Sequence, residues 1–140
     1  VAKTFGATDV INSKNGDAKQ KVMELTDKKG VDVSIEAVGV PETLELCVDI
    51  VAAGGHIANI GVHGKSVLFH MENLWSHNIT LTTRLVDTVS TPMLFKTVQA
   101  KKLNANQLIT HHFKMDEIMK AYDTFENAAK EKALKVIITN

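Results

Sequence analysis

The chain has 140 residues, of which 44% are hydrophobic and 23% are charged, a composition typical of a globular domain. Sixteen Lys and Arg residues balance sixteen Asp and Glu residues, so charge gives no reason to expect a nucleic acid or an anionic membrane as a partner. The single cysteine, Cys47, excludes an internal disulfide and a multi-cysteine zinc site, and we expect a cytoplasmic protein without a membrane-spanning or secretory segment.

The first half of the chain alternates short strands with amphipathic helices. Residues 1–5 have the apolar spacing of a last helical turn and precede Gly6, which predicts a fragment whose helix begins upstream. Pro41 opens the clearest helix, which Gly54 is expected to end. In chain order we predict a strand over 9–12, a helix over 17–28, a strand over 31–38, a helix over 41–53 and a strand over 56–61.

The second half is less regular but continues the alternation. Residues 79–84 are β-branched and Thr-rich, as a strand should be, and Thr91 is a plausible N-cap for the helix that follows. In chain order we predict a short strand over 67–69, a short helix over 71–77, a strand over 79–84, a helix over 92–102, a strand over 109–113, a helix over 116–129 and a strand over 134–139.

Strands that alternate with helices predict an α/β fold with βαβ crossovers and a parallel sheet. The alternation of strands and helices changes its pattern near residues 86–90. We therefore predict a domain boundary there, which divides the chain into 1–85 and 86–140. Ligands of such sheets bind outside the carboxyl ends of the strands. The loops at 36–39, 60–63 and 83–85 are therefore the candidate binding segments.

Two glycines and two charged residues carry the chemistry of this candidate site. Gly39 and Gly61 allow a close backbone approach or an unusual φ, so they fit both a simple turn and contact with a cofactor. Glu36 fits a buried carboxylate with a shifted pKa, or a structural hydrogen bond. Lys135 faces either water or an anion. The sequence holds no G-x-G-x-x-G motif, so it lacks a complete phosphate-binding loop.

The histidines and the cysteine do not form a recognisable catalytic or metal site. Four histidines recur at every seventh position from His56 to His77, but this stretch crosses a strand, a turn and a short helix, so no common face results. His111 and His112 are adjacent in a strand and point to opposite faces. Cys47 is expected to be a small buried hydrophobic residue. We therefore assign no catalytic residue and no metal ligand.

Five segments together resemble zinc-containing alcohol dehydrogenases of the medium-chain dehydrogenase/reductase superfamily. Residues 1–12 resemble the segment after the first βαβ unit of these enzymes. GVDVSIEAVG at 30–39 resembles their fourth sheet strand, and GGHIANIGV at 54–62 resembles the fifth. Residues 108–113 and 133–138 resemble the tail that returns to the catalytic domain. The matches occur in order over essentially the whole chain.

The resemblance implies a partial Rossmann-like, doubly wound parallel sheet over 1–85 and a C-terminal segment of the catalytic domain over 86–140. It also implies that the strand-end loops and one lysine contact NAD or NADP. Val38 and Gly39 would lie against the adenosine side, Ile60, Gly61 and Val62 would face the nicotinamide and its ribose, Thr83, Arg84 and Leu85 would lie near the carboxamide, and Lys135 would reach the pyrophosphate.

In this family the zinc ligands, the Gly-rich loop and the acidic ribose-binding residue precede the segment matched here, and the sequence contains none of them. The resemblance thus implies a fragment of an oxidoreductase that transfers hydride between a small primary or secondary alcohol, or its aldehyde or ketone, and NAD(P). Zinc would belong to the full-length parent, and the fragment would be inactive by itself. It also implies a homo-oligomer formed through the strand at 79–84.

Two alternatives are left open by the residues themselves. The chain fits a stand-alone nucleotide-binding or regulatory module without catalysis. It also fits a zinc-independent reductase of the same superfamily, because such an enzyme would share these loops.

Overall fold

The computed structural model describes residues 1–85 and 88–140 and divides into two compact units, Val1–Val86 and Asp87–Asn140. The predicted domain boundary falls at Val86, which lies outside the described residues. The assignment of 1–85 to a dinucleotide-binding domain and of 86–140 to a catalytic domain stays a prediction.

The first unit is built on a three-stranded parallel sheet with the order β1-β2-β3. Gly6 ends the first helical turn in the left-handed conformation, as the sequence predicts. The elements in chain order are a 3₁₀ turn at Ala2–Phe5, a 3₁₀ turn at Ser13–Asn15, α1 at Ala18–Leu25, β1 at Val31–Glu36, α2 at Pro41–Ile50, β2 at Val51–Asn59, α3 at Met71–Leu74 and β3 at Thr80–Thr83.

Helix α2 covers one face of this sheet. Its apolar residues Leu44 and Cys47 are buried with Val51 and Ile57 of β2, which confirms the prediction that Cys47 is a small buried residue. The opposite face of β1 is exposed, because Val33 and Ile35 remain more than half accessible to solvent. One layer of helix is therefore packed on the sheet within the part of the chain that the structure describes.

Two predicted strands and several predicted element boundaries in the first unit are wrong. Residues 9–12 and 67–69 are not strands. Helix α1 ends at Leu25 because Asp27 and Lys28 have positive φ angles, which a helix cannot continue. Helix α2 ends at Ile50, and β2 begins at once and passes through Gly54, the predicted helix stop.

The second unit is a two-stranded parallel sheet, β4-β5, packed with helix α5. The predicted helix over 116–129 is divided at Asn127, and the predicted helix over 92–102 ends at Gln99. The elements in chain order are α4 at Thr91–Gln99, a 3₁₀ turn at Ala105–Leu108, β4 at Ile109–Lys114, a 3₁₀ turn at Met115–Glu117, α5 at Ile118–Glu126, α6 at Ala128–Glu131 and β5 at Lys135–Thr139.

Parallel strands with helices packed on them confirm the predicted α/β class. Among the described residues, every helix falls short of the length and apolar content needed to cross a bilayer.

Candidate functional site

The carboxyl ends of the three strands of the first unit lie side by side. Glu36 pairs with Asn59, and Asn59 pairs with Thr83, so each strand ends at the same level of the sheet. The strand-end edge, as we call residues 36–39, 59–63 and 83–85, therefore brings together the three predicted binding loops of this unit.

The Glu36 carboxylate lies at the centre of the strand-end edge and is 1% exposed. Its Oε1 accepts hydrogen bonds from the backbone N–H groups of Val38 and Gly39, each at 2.8 Å, and from the Thr43 hydroxyl at 2.6 Å. Thr43 lies in the first turn of α2. One carboxylate oxygen thus fixes both the turn after β1 and the start of the following helix.

These contacts determine the protonation state of Glu36. Burial by itself would raise the pKa of Glu36, because it disfavours the charged form. The hydrogen bonds from Thr43, Gly39 and Val38 and the charge of His63 outweigh burial, and they lower the pKa of Glu36 from 4.5 to about 2. Both predicted descriptions, a structural hydrogen bond and a shifted pKa, therefore apply to this residue.

Glu36 also holds the loop that follows β2. Its backbone carbonyl accepts hydrogen bonds from the N–H groups of Ile60 at 2.9 Å and Gly61 at 3.2 Å. Its second carboxylate oxygen, Oε2, lies 3.3 Å from Nε2 of His63. The backbone and side chain of this one residue connect the loop after β1 to the loop after β2.

Gly39 and Gly61 mark the point where the two loops cross. Gly39 has a φ of 89°, and a Cβ there would lie 2.7 Å from the carbonyl carbon of Val62. A Cβ at Gly61 would collide with the Glu36 carboxylate and with the backbone of Gly39. Both glycines therefore serve a close backbone approach, and contact with a cofactor stays a prediction.

Two residues of this site, Thr43 and Asn59, are not among the residues predicted from the sequence, and His63 is predicted only as the last residue of the loop 60–63. Asn59 Oδ1 lies 2.8 Å from His63 Nε2, and Asn59 Nδ2 donates to the Gly61 carbonyl at 3.3 Å. The available signal was position, because Asn59 ends a strand and His63 belongs to the loop after it. The seven-residue spacing that His63 shares with three other histidines does not indicate this contact.

The outer surface of the strand-end edge is apolar. The side chains of Val38, Ile60, Val62 and Leu85 are between 54% and 82% exposed. Thr83 and Arg84 are exposed beside them, and the Arg84 backbone N–H donates to Asn59 at 3.3 Å. Accessible apolar side chains above a tight backbone crossing form a surface of the kind that lines small-molecule sites.

Lys135 lies in the second unit, at the first position of β5, where it pairs with Ile109 and is exposed. Its predicted contact with a pyrophosphate stays a prediction.

The residues that the structure describes do not fit a zinc site. Across residues 1–85 and 88–140, the structure places no group of three or more His, Cys, Asp or Glu side chains where they could hold a metal ion.

The chain matches the family model described as zinc-binding dehydrogenase over residues 1–98. It is 30% identical over 142 residues to an alcohol dehydrogenase from Cupriavidus necator, an alignment that covers 99% of this chain and 38% of that protein. It is 33% identical over 153 residues to the NADP-dependent isopropanol dehydrogenase of Thermoanaerobacter brockii, covering 98% of this chain and 41% of the relative. The chain thus spans about two fifths of the length of these relatives.

A solved structure supports the same relationship. Zinc-dependent alcohol dehydrogenase 2 from Streptococcus pneumonia is 45% identical to this chain and superposes with a TM-score of 0.93, covering 99% of this chain and 41% of that one. The likeness confirms the predicted α/β fold with a partial Rossmann-like parallel sheet.

Proposed function

The chain belongs to the zinc-binding dehydrogenase family, and from this premise we propose that its strand-end edge is one wall of a dinucleotide site. The observation that supports this most directly is the crossing of the loops at Gly39 and Gly61 beneath exposed apolar side chains. Ligands of parallel α/β sheets bind at the carboxyl ends of the strands, which is where this crossing lies.

The proposed residue roles follow the resemblance. Val38 and Gly39 contact the adenosine side, and the loop 60–62 faces the nicotinamide and its ribose. Thr83, Arg84 and Leu85 lie near the carboxamide, and Lys135 reaches the pyrophosphate. A lysine suits that role because its ammonium forms charge-assisted hydrogen bonds with phosphate oxygens.

The proposed reaction is hydride transfer between NAD(P) and a small primary or secondary alcohol, or the corresponding aldehyde or ketone, by a longer protein that contains this chain. The matched relatives are named as alcohol and isopropanol dehydrogenases, and one of them is named as NADP-dependent. When bound, the oxidised dinucleotide would accept hydride from the alcohol, and the reduced dinucleotide would donate it to the aldehyde or ketone. Zinc would belong to the rest of the longer protein. We propose that the 140 residues are inactive alone, because in the family they resemble the zinc ligands and the Gly-rich loop precede the matched segment.

We propose that the protein is cytoplasmic. We also propose that it forms a homo-oligomer through β3. Strand β3 is the last in the order β1-β2-β3, so its outer edge has no partner strand in the described part of the chain. Leu81 and Trp75 are exposed beside this edge. Unpaired edges and exposed apolar side chains favour association. Light scattering should show a dimer that Leu81→Lys shifts toward the monomer, and an unchanged mass would contradict this interface.

A nuclear magnetic resonance titration of the ¹⁵N-labelled chain with NAD⁺ and NADP⁺ tests the proposed wall. We expect weak binding, on the order of millimolar, because only part of the pocket is present. The shift changes should centre on the amides of Gly39, Gly61 and Val62. Micromolar binding would instead favour the stand-alone nucleotide-binding module. Absence of shift changes at these amides would contradict the proposed wall.

A further inference from the structure

We propose that Glu36 is a positioning residue whose single carboxylate holds the two dinucleotide-facing loops in register, one through the 38–39 backbone and the other through His63. The inference rests on the proposed function, because the role assigned to Glu36 is to align the two loops that contact the two ends of a bound dinucleotide.

The Oε1 atom of Glu36 makes hydrogen bonds to the loop after β1 and to the start of α2. Oε1 accepts hydrogen bonds from two backbone N–H groups and one hydroxyl, at 2.8, 2.8 and 2.6 Å. Hydrogen bonds to a charged acceptor are about twice as strong as neutral ones. The left-handed turn at Gly39 is therefore fixed by one charged atom.

The second oxygen faces the loop after β2. His63 Nε2 lies 2.8 Å from Asn59 Oδ1 and 3.3 Å from Glu36 Oε2. The Asn59 amide is oriented by its own bond to the Gly61 carbonyl. Both neighbours of Nε2 are acceptors, so Nε2 must carry a proton. The structure thus places a proton on Nε2 of His63, which donates to Asn59 Oδ1.

This contact is largely buried, with the His63 side chain 16% exposed and the Glu36 side chain 0% exposed. Glu36 Oε2 and His63 Nδ1 are buried atoms, and neither has a hydrogen-bond partner in the described structure. A Cβ at Gly61 would also collide with the carboxylate, which shows how closely the two loops pack. A displacement of one loop is consequently transmitted to the other through Glu36.

The chain contains a matched control pair. His70 Nδ1 lies 2.8 Å from Glu72 Oε1, but both side chains are at least 60% exposed. An exposed pair of this kind contributes little to structure. Replacing its members changes the same residue types without touching the strand-end edge.

The test measures NADP⁺ and NAD⁺ dissociation constants by amide shift titration for Glu36→Gln, His63→Gln and the double variant. Each single variant should weaken binding about tenfold, which corresponds to about 1.4 kcal/mol. The double variant should be no weaker than the weaker single variant, because both remove the same contact. Glu72→Gln, His70→Gln and their double variant should bind within about twofold of the parent chain. Ring ¹⁵N shifts of the unsubstituted chain should show a proton on Nε2 of His63.

Three outcomes would overturn the inference. Binding by the Glu36 and His63 variants within about twofold of the parent chain would reject Glu36 as a positioning residue and leave the proposed function standing. Losses that multiply in the double variant would show two independent structural effects. No binding by the unsubstituted chain would reject the proposed function, and this inference with it. The Gln variants preserve side-chain volume, and His63→Gln tests the contact even if Glu36→Gln unfolds the chain.

Discussion

Acid should weaken the first unit chiefly through Glu36. Its pKa in the folded chain is lowered to about 2 from 4.5, so the folded state favours the carboxylate. A group with a lowered pKa stabilises the fold above its unfolded pKa, and this stabilisation is lost as the pH falls through the folded pKa. The sensitive window therefore runs from about pH 4.5 down to about pH 2.

The magnitude follows from the size of this change. At about 1.4 kcal/mol per pKa unit, the lowering from 4.5 to about 2 corresponds to about 3 kcal/mol of unfolding free energy at pH 7. Near pH 3 the unfolded carboxyl is already protonated while the folded one is still mostly charged. About 2 kcal/mol of the contribution should be lost by that pH, and the remainder below it.

Urea unfolding at pH 7, 5 and 3, followed by the amide signals of β1 and β2, measures this loss locally. Glu36→Gln is the control, because a carboxamide does not titrate. The free-energy difference between the parent chain and the variant should shrink by about 2 kcal/mol from pH 7 to pH 3. A difference that stays constant over this range would refute the argument that the hydrogen bonds to Oε1 outweigh burial.

Three further experiments, two substitutions with their controls and one chemical labelling, test the packing of the first unit. Gly61→Ala should destabilise the chain by more than about 2 kcal/mol in urea because its Cβ would collide with the loop after β1, whereas Gly64→Ala, with open space around the new Cβ, should change stability by less than about 0.5 kcal/mol. Ile57→Ala should cost about 2 to 5 kcal/mol because Ile57 is fully buried, and Val33→Ala, at a half-exposed position, about 1 kcal/mol or less; equal losses would contradict the assigned core. Burial raises the pKa of the Cys47 thiol, so iodoacetamide should label it about 100-fold more slowly in the native chain than in urea, and equal rates would show that α2 does not pack Cys47 against the sheet.

Elements set by local sequence were predictable, and elements that depend on distant partners were not. The start of α2 at Pro41 and the left-handed Gly6 follow from backbone preferences of the residues themselves. Residues 9–12 have strand composition, but in the described structure they have no neighbouring strand with which to form a ladder. Gly54 has the signature of a helix end, yet its positive φ is accommodated within β2.

The candidate site was predictable in its location and not in its internal contacts. The parallel alternation of strands and helices placed Gly39, Gly61 and Thr83 at one edge, and the pairing of the strand ends confirms this. The role of His63 depends on a contact with Glu36 across two loops, which no local spacing encodes. The position of the strand-end edge could be predicted from the sequence, because it follows from the parallel topology. The side-chain contacts within it could be identified only from the structure.

Transferred nuclear Overhauser effects between a bound dinucleotide and the methyl groups of Ile60 and Val62 would test the central claim most directly. We predict cross-peaks from the nicotinamide ring protons to both residues, and from adenosine protons to Val38. Cross-peaks confined to other parts of the chain, with none at the strand-end edge, would contradict the assignment of this edge as a dinucleotide-binding wall.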